Sequence, residues 1–255
     1  MKRVIFNQKG GVGKSSISVN LAAIAASEGR KTLLIDMDPQ CNASRYLLGD
    51  AASGLSPTLA DYFKSALDFQ FFPAPDSNYV HQTPFENLYL IPSHRDIGDL
   101  QSKLESRHKI YKLRDSLNKL GEEFEEIIID TPPAYNFFSQ SALIAADVCL
   151  IPFDCDDFSR QALYTLLSNL KEIQADHNAG LRIEGIVVNQ FQARASLPQR
   201  LVDELVQEQL PLLQTKLSSS VKMRESHGLN VPLIHMDARH KLSQEFVSLY
   251  RELQA

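Results

Sequence analysis

The sequence predicts a doubly wound α/β fold, a mostly parallel sheet flanked by helices. Three observations carry that expectation. Short continuous apolar runs recur along the chain: Val4-Ile5-Phe6, Leu33-Leu34-Ile35, Ile127-Ile128-Ile129, Val148-Cys149-Leu150-Ile151 and Ile183 to Val188. None alternates cleanly with polar residues, as strands buried on both faces should not. A glycine-rich loop follows the first run and opens a helical pattern, so strand, loop, helix and strand fit within some 35 residues as a βαβ unit. No linker and no internal repeat divides the chain, and residues 1–255 read as one domain.

Each element has its own justification. After the glycine loop, Ile17, Leu21 and Ile24 recur at helical spacing among alanines, and Gly29 is the natural stop. Further helices are expected near 96–105, 107–120, 136–146 and 159–176. Leu242, Phe246, Leu249, Tyr250 and Leu253 mark one apolar face at the C-terminal end. Residues 50–84 interrupt the pattern. They are rich in Ser, Pro and Asp, yet hold Tyr62, Phe63, Phe69, Phe71, Phe72 and Tyr79. A packed insertion with a short helix near 59–67 is expected in preference to a partner surface, because aromatics are mostly buried.

Composition narrows the function. The chain has 255 residues, 44% apolar and 22% charged, an ordinary globular balance that excludes disordered, collagen-like and disulfide-scaffold classes. A net charge of -5 excludes a molecule-wide basic field, so any nucleic-acid contact needs a local patch. Cys41, Cys149 and Cys155 form no C-x-x-C pair and fit a reducing compartment. No signal-peptide pattern and no apolar run of bilayer length occurs, so a soluble cytoplasmic protein is expected.

The chemistry concentrates in three places. Gly10, Gly11 and Gly13 permit a tight turn that aims backbone N–H groups at an anion, and the following helix adds the positive end of its dipole. Gly10, Gly11, Val12, Gly13, Lys14, Ser15 and Ser16 are therefore the candidate nucleotide cradle. Lys14 supplies charge for the β- and γ-phosphates, and the Ser15 hydroxyl is placed to ligate Mg²⁺. A generic P-loop has glycine at position 8; here Gln8 stands there, and a second lysine, Lys9, begins the loop. From that place Lys9 does not readily reach its own γ-phosphate, but it can reach the nucleotide of a facing subunit. Asp130 follows three isoleucines, and Asp36-Met37-Asp38-Pro39-Gln40 follows the second strand. Asp130 and Asp36 are candidate metal-shell carboxylates beside Ser15, and Asp38 the group that positions or activates water.

Gln8 to Ser15, Asp36 to Gln40, Leu90-Ile91-Pro92-Ser93 and Asp130-Thr131-Pro132-Pro133 together resemble the ParA/MinD family of deviant-Walker P-loop ATPases. The order and spacing match over nearly the whole chain, closest to the small Soj-like ParA partition ATPases. The resemblance implies a slow, partner-stimulated ATP hydrolase using ATP and Mg²⁺. It implies a sandwich homodimer with ATP, binding to nonspecific DNA, a nucleoid location, and a ParB-like or other cargo adaptor. It also implies Lys9 as the lysine crossing the dimer interface, Lys14 as the phosphate lysine, Asp38 as the hydrolytic residue and Asn189 as an adenine-edge contact.

Two departures stand out. Cys41 occupies a place where the family usually has glycine; a tolerated small side chain is expected over an oxidisable thiol. The family's Glu-Ala-Pro-Ser-His-Gly loop is reduced to Glu225-Ser226-His227-Gly228. The candidate DNA contacts are Lys222 and Arg224 beside it, with the basic stretch 94–119 as the other candidate. A MinD-like membrane attachment needs a basic amphipathic C-terminal helix, and Lys241 and Arg251 are balanced there by Glu245 and Glu252. A metabolic P-loop ligase of the same broad fold would not need Lys9. An iron–sulfur electron donor would need cysteines in contexts other than those of Cys149 and Cys155.

Overall fold

The computed structural model describes residues 1–68, 74–155, 159–192 and 195–255. Phe69, Phe71 and Phe72 of the aromatic-rich segment lie outside the described residues. In chain order the elements are β1 (Lys2–Ile5), α1 (Lys14–Ser27), β2 (Thr32–Asp36), α2 (Asn42–Leu48), α3 (Leu59–Leu67), β3 (His81–Gln82), β4 (Leu88–Ile91), α4 (Ile97–Ser106), α5 (Lys112–Leu120), β5 (Glu126–Asp130) and α6 (Phe137–Ala145). They continue with β6 (Val148–Asp154), α7 (Ser159–Asp176), β7 (Arg182–Phe191), α8 (Ser196–Gln207), β8 (Leu212–Ser218), α9 (Val221–Leu229), α10 (Leu233–Met236) and α11 (Lys241–Glu252). The strands form one sheet in the order β3-β4-β2-β5-β1-β6-β7-β8. Every pairing is parallel except β3 with β4.

The period of two along each strand sorts the core into two layers. Val4, Leu33, Ile35, Ile127, Ile129 and Ile151 face α3 to α8. Ile5, Leu34, Ile128, Leu150 and Val187 face α1, α2 and α9 to α11. This is the doubly wound arrangement that the continuous apolar runs require. Helix α1 is buried on nearly every side, from Ile17 to Ala26, because α2, α10 and α11 cover the side that the sheet leaves free. The packed-insertion expectation holds at Tyr62, Phe63 and Tyr79, all buried. Tyr62 meets Phe63 and Tyr79 edge-on, and Phe63 meets Phe137 and Phe138.

The structure extends two strands beyond their apolar runs. β6 continues through Pro152 to Asp154. Pro152 lacks an N–H, but β1 pairs with β6 only as far as Leu150, so no ladder bond is missed on that side. The Pro152 carbonyl instead accepts from the Asn7 side chain at 2.7 Å. β7 continues past Val188 to Phe191, with Gln190 at φ 54° and shifts in its register against β8. β8 itself is half-exposed and shows no apolar run. Its outer N–H groups are covered by α11: Glu252 accepts from Gln214 and Thr215, and Glu245 from Ser218. Two carboxylates thereby blunt a sheet edge that would otherwise pair with another chain.

Candidate functional site

Strand register assembles the site. Ile5 pairs with Asp130, and Asp130 with Asp36, so the glycine loop and both strand-terminal aspartates emerge side by side at the carboxyl end of the sheet. That edge is where doubly wound folds bind ligands. The supporting contacts come from the motifs themselves. Thr131 Oγ1 donates to Ile5 O at 2.7 Å, and Met37 N donates to Asp130 O at 3.0 Å. A Cβ at Gly10 would stand 3.9 Å from Pro133, so the Asp-Thr-Pro-Pro turn packs under the loop. Ser93 N donates to Ser44 Oγ, which in turn donates to Asp36 at 2.7 Å. The Leu90–Ser93 motif therefore ties β4 to the second acidic turn.

Gly10, Gly11, Gly13, Lys14, Ser15, Ser16 and Asp38 line one cleft of about 360 Å³, together with Asn42, Arg45, Tyr46, Pro133, His227 and Asn230. Val12 is buried beneath the loop. Gly13 lies at φ 88° as the residue before α1, a conformation that favours glycine. Lys14 Nζ rests on the Lys9 carbonyl at 2.9 Å. Burial lowers the Lys14 pKa, against the opposing charges of Asp130 and Asp38. Lys9 is half-buried at the start of the loop, its N–H donating to Asn7 Oδ1.

The acidic groups differ in their surroundings. Asp130 is fully buried; it accepts from the Ser15 and Ser18 hydroxyls, and its Oδ2 has no partner. Burial first, then the neighbouring Asp36 charge, pushes its pKa up. Asp36 is also buried and shifted up by desolvation. Its oxygens accept from Asp38 N and from the Ser44 N–H and hydroxyl. Asp38 is 5% exposed and accepts from Gln40 N at 2.9 Å. Burial raises it, opposed by that hydrogen bond and by Lys14.

This donor set fits a hard divalent cation. The unpartnered Asp130 oxygen and the Ser15 hydroxyl would hold it, with the Asp36 charge behind them. The loop N–H groups and Lys14 would hold an anion beside it.

Asn189 stands against the loop, its Nδ2 donating to Val12 O at 2.9 Å, and a Cβ at Gly13 would approach that nitrogen to 2.2 Å. One expectation needs adjustment. Glu225-Ser226-His227-Gly228 is not a loop but part of α9. With no proline in the segment, nothing removes an N–H and the helix runs through. Lys222 and Arg224 lie on the same helix, and Lys222 is paired with Glu225 at 2.9 Å. Cys41 sits at φ 56° before α2, its thiol pushed up to about 11 by burial and by the Asp36 charge. Such a shift disfavours the reactive thiolate form.

Sequence reasoning missed the far wall of the cleft. Asn42, Arg45 and Tyr46 come from α2, and His227 and Asn230 from α9 and its end. His227 stacks on Tyr46 with centroids 3.9 Å apart, and its Nε2 lies 3.0 Å from Ser16 Oγ. Gln190 was also missed; its Nε2 donates to Gly11 O at 3.0 Å, beside Asn189. His227 belonged to a recognised motif fragment, but no local signal marked Tyr46 or Gln190.

Comparisons with known proteins find similar chains along nearly the whole length of this one. A family model described as an AAA domain matches residues 2–183. The chromosome partitioning protein ParA of Myxococcus xanthus is 32% identical, over 98% of this chain and 86% of that protein. The sporulation initiation inhibitor protein Soj of Bacillus subtilis is 30% identical, over 98% and 97%. Among solved structures, an ATP complex of Cyanothece McdA superposes with a TM-score of 0.86 at 23% identity, covering 99% of this chain and 96% of that one. The septum site-determining protein MinD of Pyrococcus horikoshii, complexed with Mg-ADP, gives 0.77 at 22% identity, over 99% and 96%.

Proposed function

Because this chain belongs to the ParA family of partitioning ATPases, we propose that it binds ATP with Mg²⁺ over residues 1–255, pairs two copies around the nucleotides, and in that state binds DNA without sequence preference to position a cargo. The observation that carries the reading is the alignment of Asp36 and Asp130 with the loop opening α1, beside a cleft lined by Gly10, Gly11, Gly13, Lys14, Ser15, Ser16 and Asp38. Ser15 and Asp130, with Asp36 behind them, would hold Mg²⁺, which would neutralise phosphate charge there. Residues Gly10 to Ser16 hold the phosphate chain, with Ser15, Asp130 and Asp36 around the metal. Asp38, partly desolvated and raised in pKa, takes the proton of the attacking water. Lys9 reaches the partner's nucleotide in the closed dimer, where a cation stabilises charge that develops during transfer. Asn189 holds the loop's shape from behind, through Val12.

The DNA contact rests on the exposed Arg224 and on Lys222. Since Glu225 neutralises Lys222, DNA binding draws on that lysine only if the pair opens. A ParB-like or other adaptor supplies the stimulus for hydrolysis. Such a protein works in the cytoplasm, on the nucleoid. Among the described residues no helix is long and apolar enough to cross a membrane.

The test is light scattering of Asp38→Ala with saturating ATP and Mg²⁺, followed by titration with random duplex DNA. A dimer that binds DNA with ATP and not with ADP is expected. A protein that stays monomeric under these conditions defeats the reading.

A further inference from the structure

The α2 side of the cleft carries a cation that is unpaired among the described residues. Arg45 sits one turn into α2, and its exposed side chain lines the same cleft as Gly10, Gly11, Gly13, Lys14, Ser15, Ser16 and Asp38. Among the described residues its guanidinium has no hydrogen-bond or ion-pair partner. The backbone that bears it is held firmly. Ser44, the residue before it, bonds Asp36 through both its N–H and its hydroxyl. Tyr46, the residue after it, receives Asn20 Nδ2 at 3.1 Å and lies 2.5 Å from Ser226 Oγ. The Arg45 carbonyl itself accepts from the Gly49 N–H at the end of the helix. A fixed backbone with a free charged head, turned into a cleft, is the arrangement of a ligand contact.

The charge balance argues the same way. Asp36, Asp38 and Asp130 crowd this end of the sheet, and Lys14 is the loop cation that faces two of them. A nucleoside triphosphate remains anionic after it takes up one divalent cation. Lys14 and one metal ion leave that site negative, so a further cation in the same subunit lowers the cost of binding. Guanidinium suits the task, because its planar fork meets phosphate oxygens with two parallel N–H bonds.

We infer that Arg45 is a nucleotide-binding residue that contacts the phosphate chain from its own subunit, opposite Lys14. The inference rests on the ATP-binding reading above. In the bound state the Arg45 N–H groups donate to phosphate oxygens while α2 stays pinned by Ser44 and Tyr46.

The experiment measures the equilibrium affinity of fluorescent ATP and ADP analogues with Mg²⁺ at low and moderate salt, for wild type, Arg45→Ala and Arg45→Lys. Arg45→Ala should weaken ATP binding about tenfold or more at low salt, as loss of a charge-assisted hydrogen bond does. Arg45→Lys should recover much of that loss, and the deficit of Arg45→Ala should shrink as salt rises, with the melting temperature unchanged. Wild-type binding with Arg45→Ala within twofold of it overturns the inference and leaves the ATP reading intact. So does an Arg45→Ala protein that binds nucleotide normally but no longer dimerises, which would move the arginine to the subunit interface. Equal losses in both variants together with a lower melting temperature assign a structural role and also overturn it. A wild type that binds neither nucleotide defeats the underlying reading itself.

Discussion

Replacing Gly13 by alanine tests whether the loop is held by the geometry described. At φ 88° an L side chain is strained, and leaving the right-handed region costs about 1–2 kcal/mol. The added Cβ would also stand 2.2 Å from Asn189 Nδ2. Asn189 must then swing away and release its bond to Val12 O, a further loss of about 1 kcal/mol. Gly11 is the internal control: it lies at φ 79°, with nothing within 4 Å of its virtual Cβ. Gly11→Ala should therefore cost only the conformational part, about 1–2 kcal/mol, and Gly13→Ala about 2–3 kcal/mol. For a chain of this size the gap between them corresponds to about 2–4 °C in Tm. Thermal and urea unfolding of the nucleotide-free protein measure both variants. Repeating Gly13→Ala in an Asn189→Ala background closes a double-mutant cycle. There the extra cost should vanish, because the clashing amide is gone. Equal costs for Gly11→Ala and Gly13→Ala, or an unchanged Gly13→Ala penalty in the Asn189→Ala background, would refute the reasoning.

Two further predictions follow from single positions. Cys41→Gly should raise stability by up to about 1 kcal/mol, because glycine tolerates the left-handed backbone that cysteine holds at φ 56°; alkylation of the wild-type thiol at pH 8 should be slow, given its upward shift to about 11. Burial alone would raise the Glu252 pKa, but hydrogen bonds from Thr215 and Gln214 outweigh it and hold the carboxyl below its ordinary value. A lowered folded-state pKa means stability that is present above the unfolded value and lost as pH falls through the folded one. Glu252→Gln should therefore destabilise at neutral pH and lose that deficit below about pH 4, where the wild-type carboxylate is protonated too. Urea midpoints across pH 3 to 7 read this out, and a pH-independent difference would count against the edge-covering role.

Much of this molecule was legible because its chemistry is written in consecutive residues. Asp130 after three isoleucines is both a strand and its acidic end, and Gly13-Lys14-Ser15 after an apolar strand is both a turn and a helix start. The short helix near 59–67 was readable from Tyr62 and Phe63, which need burial wherever they occur. What stayed hidden was distributed. The half-exposed β8 has too weak a pattern to mark itself, and it holds the sheet edge only because Glu245 and Glu252 arrive from α11. The apolar run from Val148 stops at Ile151, and nothing nearby reveals that β1 ends early enough for Pro152 to continue the strand.

Local sequence thus determined where phosphate, metal and proton chemistry can occur, because a turn, a strand end and a helix start each need only a few neighbouring residues. Tertiary packing decided what surrounds that chemistry. Tyr46 meets Ser226 across 180 residues of chain, Asn189 meets Val12 across 177, and Arg45 gains its place in the cleft from the fixing of α2. Contacts at such separations form only once the strand order is set and the helices are packed on the sheet, so the cleft's far wall is a property of the assembled fold.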